Sequence, residues 1–408
     1  MTRENPLDSP ARPETIRSPW RIFTGRLLRN RIALTGGSIL FVLYAMAIFG
    51  SFIGPYDPNL SHVADPDHHP TAIRFIDAQG NFHLRPFVYR TELTNILRRV
   101  YEPDETRRYP IRFFVAGEPY KLWWLFETEL HLFGLGEPEN EVVGEDSAAR
   151  VTASSAQSEE PPRIYLFGTD RLGRDNFSRI LSGAKISLSI GLIGIMITMT
   201  LGLLVGGLSG YLGGMADTII MRLVELLMSI PSLYLILALR AALSEENPLL
   251  NFIFRLEEGK SPSSWQMYLI MITVLSFVGW AGTARVIRGM VLAIKELDYV
   301  AAARAVGASP FRIITRHLLP NTFTYVIIAA SISVPAYILG EVALSFLGVG
   351  IPPDVATWGS MLELGRAHID KQGWMVVFPG FVIALIVFSV NFLGDGLRDV
   401  MDPKLRGR

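Results

Sequence analysis

Residues able to do chemistry are few in this chain, and they gather in short clusters. SHVADPDHHP places His62, Asp65, Asp67, His68 and His69 in one stretch, carboxylate and imidazole donors of the kind a divalent cation accepts. The same stretch is polar and broken by prolines, and spacing alone converges no ligands on a point. A solvated turn is expected there, and no metal site is assigned. Gly259-Lys260-Ser261 has the ending of a phosphate-binding loop, but the glycine that motif needs five positions earlier is Phe254. The backbone cradle for phosphates is therefore missing. Serine, histidine and acidic residues form no nucleophile elbow and no HExxH pattern. The chain has 0 cysteines, which removes thiolate ligands, disulfides and a cysteine nucleophile. No covalent catalysis and no cofactor are expected. Glu341 stands apart, because it lies inside an apolar run where a charged group is costly and marks either a pairing or a function. A hydrogen bond to a neighbouring helix and a place along a transport pathway both stay open.

The elements that must carry these residues are those of a membrane protein. Of 408 residues, 50% are hydrophobic and 19% charged, and mean hydropathy is +0.31. Lysine and arginine (38) balance aspartate and glutamate (38), so the location of charge says more than its sum. A bilayer core takes roughly 20 apolar residues in a helix. Six stretches approach that length: 32–53, 186–212, 218–243, 267–283, 323–347 and 374–393. Arg17, Arg21, Arg26, Arg29 and Arg31 precede the first, which is too long for a signal peptide and is expected to remain as an anchor. Arg285, Arg288, Lys295, Arg304, Arg312 and Arg316 follow the fourth, and Arg398, Lys404, Arg406 and Arg408 follow the last. With six spans these charges share one side, the cytoplasm by the positive-inside rule, and both termini lie there.

The domain plan that follows is a cytoplasmic segment over 1–31, an anchor over 32–53, an extracytoplasmic insertion over 54–185, a five-helix core over 186–397 and a cytoplasmic tail over 398–408. Within the insertion, apolar and polar residues alternate on either side of Gln79-Gly80-Asn81, a hairpin signal, and IRFFVAGEPYKLWWLF suits a further strand. A small folded lobe is expected, with Trp123-Trp124 part of a surface that docks a partner or caps an entrance. Residues 144–162 have too little apolar content to offset ordering and read as a tether. Gly202, Gly206 and Gly210, continued by Gly214, form a small-residue stripe that lets another helix approach. Arg222 and Glu225 can pair on one helix face, and Arg240 and Asp395 sit where snorkelling lowers their cost.

Between two spans lies ELDYVAAARAVGASPFRIITRHLLP, running from Glu296 to Pro320. It reads as helix, glycine turn and second helix, with Gly307 in the turn, Ser309 as N-cap and Pro310 as first helical residue. A DNA-reading unit must enter a major groove about 12 Å wide with base-reading side chains. Here the second helix starts with Phe311, Ile313 and Ile314, which suit an apolar groove on a protein, and no nucleic-acid partner is expected. A plain solvated loop would leave this apolar surface uncovered.

YVAAARAVGASPFRIITRHLLPN resembles the cytoplasmic EAA coupling loop of ABC importer permeases. Ala302, Ala303, Gly307 and Leu319-Pro320 keep the family spacing, whereas Ala301 replaces the leading glutamate. RNRIALTGGSILFVLYAMAIFGSFIGPYDPN, FGTDRLGRDNFSRILSGAKISLSIG, GYLGGMADTIIMRLVELLMSIPSLYL, GEVALSFLGVGIPP and NFLGDGLRDVMDP are similar to segments of the oligopeptide and dipeptide branch of that family. The resemblance implies an all-α polytopic membrane protein with a type I importer core of six transmembrane helices and a small mixed or β extracytoplasmic insertion. It implies a bacterial inner-membrane permease subunit surrounded by lipid. Its partners would be a second homologous permease, two ATP-binding subunits and an extracytoplasmic solute-binding protein that delivers peptides or similar small solutes. The coupling loop would span 285–322. Ala301, Ala302, Ala303, Gly307, Ser309, Pro310 and Pro320 would shape its helix and turn, and Arg304 and Arg312 are candidates for polar contacts at the joint. The competing expectation is a self-contained channel or secondary transporter with Glu341 as an ion site.

Overall fold

The computed structural model describes residues 24–96, 99–122, 125–140, 162–242 and 263–401. Trp123-Trp124, Gly259-Lys260-Ser261, the N-terminal stretch through residue 23, nearly all of the tether and the tail beyond 401 lie outside the described residues.

Helix α1 (Arg31–Ile48) starts where the Asn30 side chain accepts from the amides of Ile32 and Ala33, and a single turn, α2 (Gly50–Ile53), prolongs it. Helix α3 (Asn176–Leu212) is capped in the same way by Asp175 and so starts ten residues before the apolar run. Next come α4 (Gly214–Ser229), α5 (Ser232–Ala242), α6 (Ser264–Ile294), α7 (Asp298–Ala305), α8 (Pro310–Ile313), α9 (Phe323–Phe346), α10 (Trp358–Arg366) and α11 (Trp374–Met401). Among the described residues five helical stretches are long and apolar enough to cross a membrane, and a sixth arises if α4 and α5 count together. These two are bent by 95°. The stretch read as one straight third span is thus two short helices. Pro231 supplies no amide hydrogen and drives Ile230 to an extended conformation (ψ 127°), which ends α4.

The glycine stripe is the seam between α3 and α6, the most extensively packed pair of helices. A Cβ on Gly202 would lie 2.5 Å from Thr283 Cγ2, and one on Gly210 would lie 2.9 Å from Val291 Cβ. The two backbones can therefore touch only because those side chains are absent. Gly214 is not part of the seam: it has φ +53° and open space around its α-carbon.

Among its described residues the insertion forms a five-stranded antiparallel sheet in the order β1 (Arg74–Ile76), β2 (Phe82–Asn95), β3 (Val100–Leu122), β4 (Phe126–Leu135), with β5 (Glu139–Asn140) also pairing β3. The expected hairpin forms at Gly80 (φ +88°), where Asp77 accepts from the amides of Gln79 and Asn81. Val88, Tyr109 and Ile164 form the lobe's core, and His131 Nδ1 anchors it 2.7 Å from the carbonyl of Gly54.

SHVADPDHHP is a structural peg. His68 is buried, with Nδ1 2.5 Å from the His69 carbonyl and Nε2 2.6 Å from Thr91 Oγ1, so the neutral ring donates to one and accepts from the other. Asp65 accepts from the Tyr165 hydroxyl at 2.7 Å. Among the described residues no group of three such side chains is placed to hold a metal ion. Burial, reinforced by the neighbouring His69, pushes the His68 imidazole down to about 4 from 6.5. For Asp77, loss of water alone would raise the pKa; hydrogen bonds from His83 and Asn81 outweigh it and hold the carboxyl at about 2.

Both shifts make the lobe acid-labile. Below pH 6.5 the unfolded chain protonates His68 and the folded chain does not, so stability falls by up to about 1.4 kcal/mol per pH unit until the folded pKa near 4. The Asp77 contribution is present above pH 3.8 and is lost as pH falls toward 2. Hydrogen exchange of the strand amides should accelerate, relative to the intrinsic rate, between pH 6.5 and 4. His68→Gln should flatten that slope; a slope unchanged by it would remove His68 as its source.

Candidate functional site

The candidate site is the connection from α6 to α9. Helix α7 begins beyond Leu297 with Asp298 in its first turn and ends with Arg304 in its last, both favourable to the helix dipole. Gly307 then turns the chain at φ +80°, a left-handed conformation that a side chain disfavours. Ser309 caps α8 by accepting from the Arg312 amide, and Pro310 occupies the first turn, where no amide hydrogen is needed.

The expected second helix is a single α-turn. It passes into a π-helical turn (Ile314–Leu318), a 3-10 turn (Leu319–Thr322) and α9. Pro320 explains the change, since it cannot donate to the carbonyl four residues earlier and its ring would clash there. Side chains take up freed carbonyls: Asn321 Nδ2 donates to His317 O (2.7 Å), and Thr322 Oγ1 to Leu319 O (2.8 Å). The turn and α9 are thereby joined into one continuous helical stretch of 37 residues, Pro310–Phe346.

The unit has two faces. Val300, Ile313, Ile314, Leu318 and Leu319 are buried and pack with Ile287 and Val291 of α6. Ala301, Ala302, Arg304, Val306, Gly307, Ser309, Pro310, Phe311, Arg312 and Pro320 are exposed. Phe311 is 74% exposed, whereas Ile313 and Ile314 point inward, which corrects their reading as part of an outward apolar start. Ala303 also faces the core. Helical periodicity separates them, because positions two apart on a turn face different directions.

Contacts that sequence reasoning did not single out root this unit in the spans. The Arg304 guanidinium lies 5.6 Å from the ring centre of Tyr211, in the last turn of α3. Lys295 Nζ donates to Gly210 O at 3.1 Å. Arg288 of α6 holds Asp217 of α4 bidentately (2.5 and 2.6 Å), and Ser209 of α3 donates to the same carboxylate. Tyr299 donates to His317 O at 3.3 Å and accepts from Asn321 at 3.1 Å. The only sequence signal was charge and aromatic residues at span ends, which does not identify partners.

Glu341 lies far from this unit and is 0% exposed. Its carboxylate oxygens accept from Ser345 Oγ (3.0 Å), Thr357 Oγ1 (2.8 Å) and Ser187 Oγ (3.1 Å). Ser187 in turn accepts from the Trp358 amide at 3.3 Å, and the Trp358 indole donates to Ile180 O at 3.2 Å. One carboxyl group thus clasps α3, α9 and the start of α10. This is the geometry of a satisfied buried acceptor between helices.

Two family profiles match the chain. Residues 181–407 match the family described as binding-protein-dependent transport system inner membrane component, and residues 18–72 match the N-terminal TM domain of oligopeptide transport permease C. The chain belongs to this family of inner-membrane transport components. The permease is 41% identical over 251 residues to the dipeptide transport system permease protein DppC of Bacillus subtilis (strain 168), covering 61% of this chain and 72% of that protein. It is 37% identical over 242 residues to the oligopeptide transport system permease protein OppC of Haemophilus influenzae, covering 59% and 71%. With the OppC of Bacillus subtilis it shares 34% over 256 residues, covering 62% and 77%. The resemblance read from the coupling loop and flanking motifs is borne out, as is a helical membrane core carrying a small β insertion. All of the described strands fall between the two matched regions of this permease.

Proposed function

We propose that this permease imports peptides or similar small solutes, delivered by a solute-binding protein, in an ATP-driven complex with a second homologous permease and two ATP-binding subunits. The observation that carries the reading is the two-faced unit from α7 to α8: an exposed face built around Gly307 and Phe311 on a base buried against the spans. An apolar, solvent-facing helix end on a rigid base suits a groove on another protein. In this reading the unit, both termini and the arginine-rich ends of the spans face the cytoplasm, and the sheet faces outward. No carboxylate contact is available at Ala301, so Arg304, Arg312 and the apolar side chains carry the joint.

Closure of the ATP-binding subunits pulls on α7 and α8. Their buried residues pass the movement to Ile287 and Val291, and Tyr211 and Lys295 pass it to α3. Helices α3 and α6 meet backbone to backbone, so they turn as one body. Rearrangement of the spans then opens the central path to the binding protein.

Uptake of a labelled peptide into proteoliposomes should require the ATP-binding subunits, ATP and the binding protein together. Gly307→Asp should release the ATP-binding subunits on purification, because any side chain is strained at φ +80°. Uptake by the chain alone, without ATP, would sink the reading in favour of a self-contained transporter.

A further inference from the structure

The hairpin of β3 and β4 exposes large apolar groups that the lobe's own core does not use. Phe113 and Phe114 are 68% and 64% exposed, and near the tip Leu125 and Phe126 are 78% and 60% exposed. Phe114 has φ +57°, a left-handed value that aromatic residues rarely adopt, and both neighbouring phenylalanines face outward there. Exposed groups of this size, collected on one hairpin, mark a surface that is covered in use.

The hairpin's position says what covers it. Both strands lie against α2, the short outer continuation of α1. Phe114 meets Phe52 with ring centres 6.3 Å apart, and His131 reaches the Gly54 carbonyl. Closer to the tip, Tyr120, Lys121 and Glu127 line one cleft of about 590 Å³ together with Gly50 and Ser51. Passing from His131 toward the tip therefore means passing from Gly54 back toward the span. Immediately before α2, Ile48 at the end of α1 and Phe49 between the two helices are 50% and 40% exposed. The hairpin's tip thus lies beside the end of a helix long and apolar enough to cross a membrane.

We propose that the β3–β4 hairpin is an interfacial membrane anchor, with Leu125 and Phe126 near its tip set into the headgroup and upper acyl region beside α1. Aromatic and aliphatic groups at that depth leave water without requiring a protein partner. Lys121 and Glu127 pair at 3.0 Å beside the tip and cancel each other, while Glu129 is exposed nearby, so the hairpin has no attraction for anionic lipid. Such an anchor fixes the lobe against the outer end of α1 while the spans move. It rests on α1 being a membrane span and not on the identity of the solute or on ATP coupling.

This chain has 0 native cysteines, so a single reporter labelled in it before assembly with its partners is unambiguous. Leu125→Cys, and Thr106→Cys on an exposed polar part of β3 away from the tip, would carry an environment-sensitive fluorophore in the complete transporter in phosphatidylcholine nanodiscs without the binding protein. The Leu125 probe should be severalfold less quenched by aqueous iodide than the Thr106 probe, and quenched by lipids bearing a nitroxide near the headgroup. Equal iodide quenching at both positions would overturn the anchor. Protection from iodide with no response to the nitroxide lipids would assign the surface to a protein neighbour, and protection appearing only on addition of the binding protein would assign it to that partner; either also overturns it.

Discussion

Replacing Glu341 with alanine should destabilise the permease by about 3 kcal/mol or more, whereas Glu341→Gln should stay within about 1 kcal/mol of the parent. The alanine strands three hydroxyls, on Ser187, Ser345 and Thr357, inside a region closed to water. Each buried donor left without an acceptor costs about 1–3 kcal/mol, softened where a hydroxyl can rotate to a backbone carbonyl. Glutamine keeps one oxygen for Ser345 and Thr357 and turns an amide toward Ser187, whose oxygen can accept. Thermal unfolding of the purified chain in detergent reads the difference. Transport by the glutamine variant separates clasp from ion site: a stable protein with normal uptake is expected. A stable protein with no uptake would place a required charge at Glu341.

Phe311→Asp should weaken binding of the ATP-binding subunits by at least about 30-fold while leaving the permease as stable as its parent, within about 0.5 kcal/mol. An aromatic anchor in a groove contributes about 2 kcal/mol or more, and an aspartate in its place would bury an unpaired charge. Stability is spared because the Phe311 side chain is 74% exposed in the isolated chain. Ile313→Asp makes the contrast. Its side chain is 1% exposed against Ile287 and Val291, so that variant should fail to accumulate as a folded protein. Sedimentation or surface-plasmon binding of the purified ATP-binding subunits checks the first claim. Unchanged binding by Phe311→Asp would move the docking surface elsewhere.

These variants separate what adjacent residues dictate from what distance brings together. The membrane helices were legible because twenty apolar residues in succession are costly to leave in water wherever they fold. The turn at Gly307, the cap at Ser309 and the start at Pro310 were legible because each depends on the residue itself and its immediate neighbours. The break before α5 could have been found in the same way, since Pro231 lies within the third apolar stretch.

The rest waited for the tertiary structure. The sequence shows Glu341 within an apolar run, but not that Ser187, 154 positions away, donates to it. The sequence shows the histidine cluster, but not that the Thr91 hydroxyl meets the Nε2 of His68. The loop's motif is identical whether Ile313 points in or out; contact with α6 settles that it points in. Backbone preferences and transfer from water belong to a residue and its neighbours, and can be read in order along the chain. Hydrogen-bond partners, buried faces and the closeness of α3 to α6 belong to pairs that only folding brings within reach.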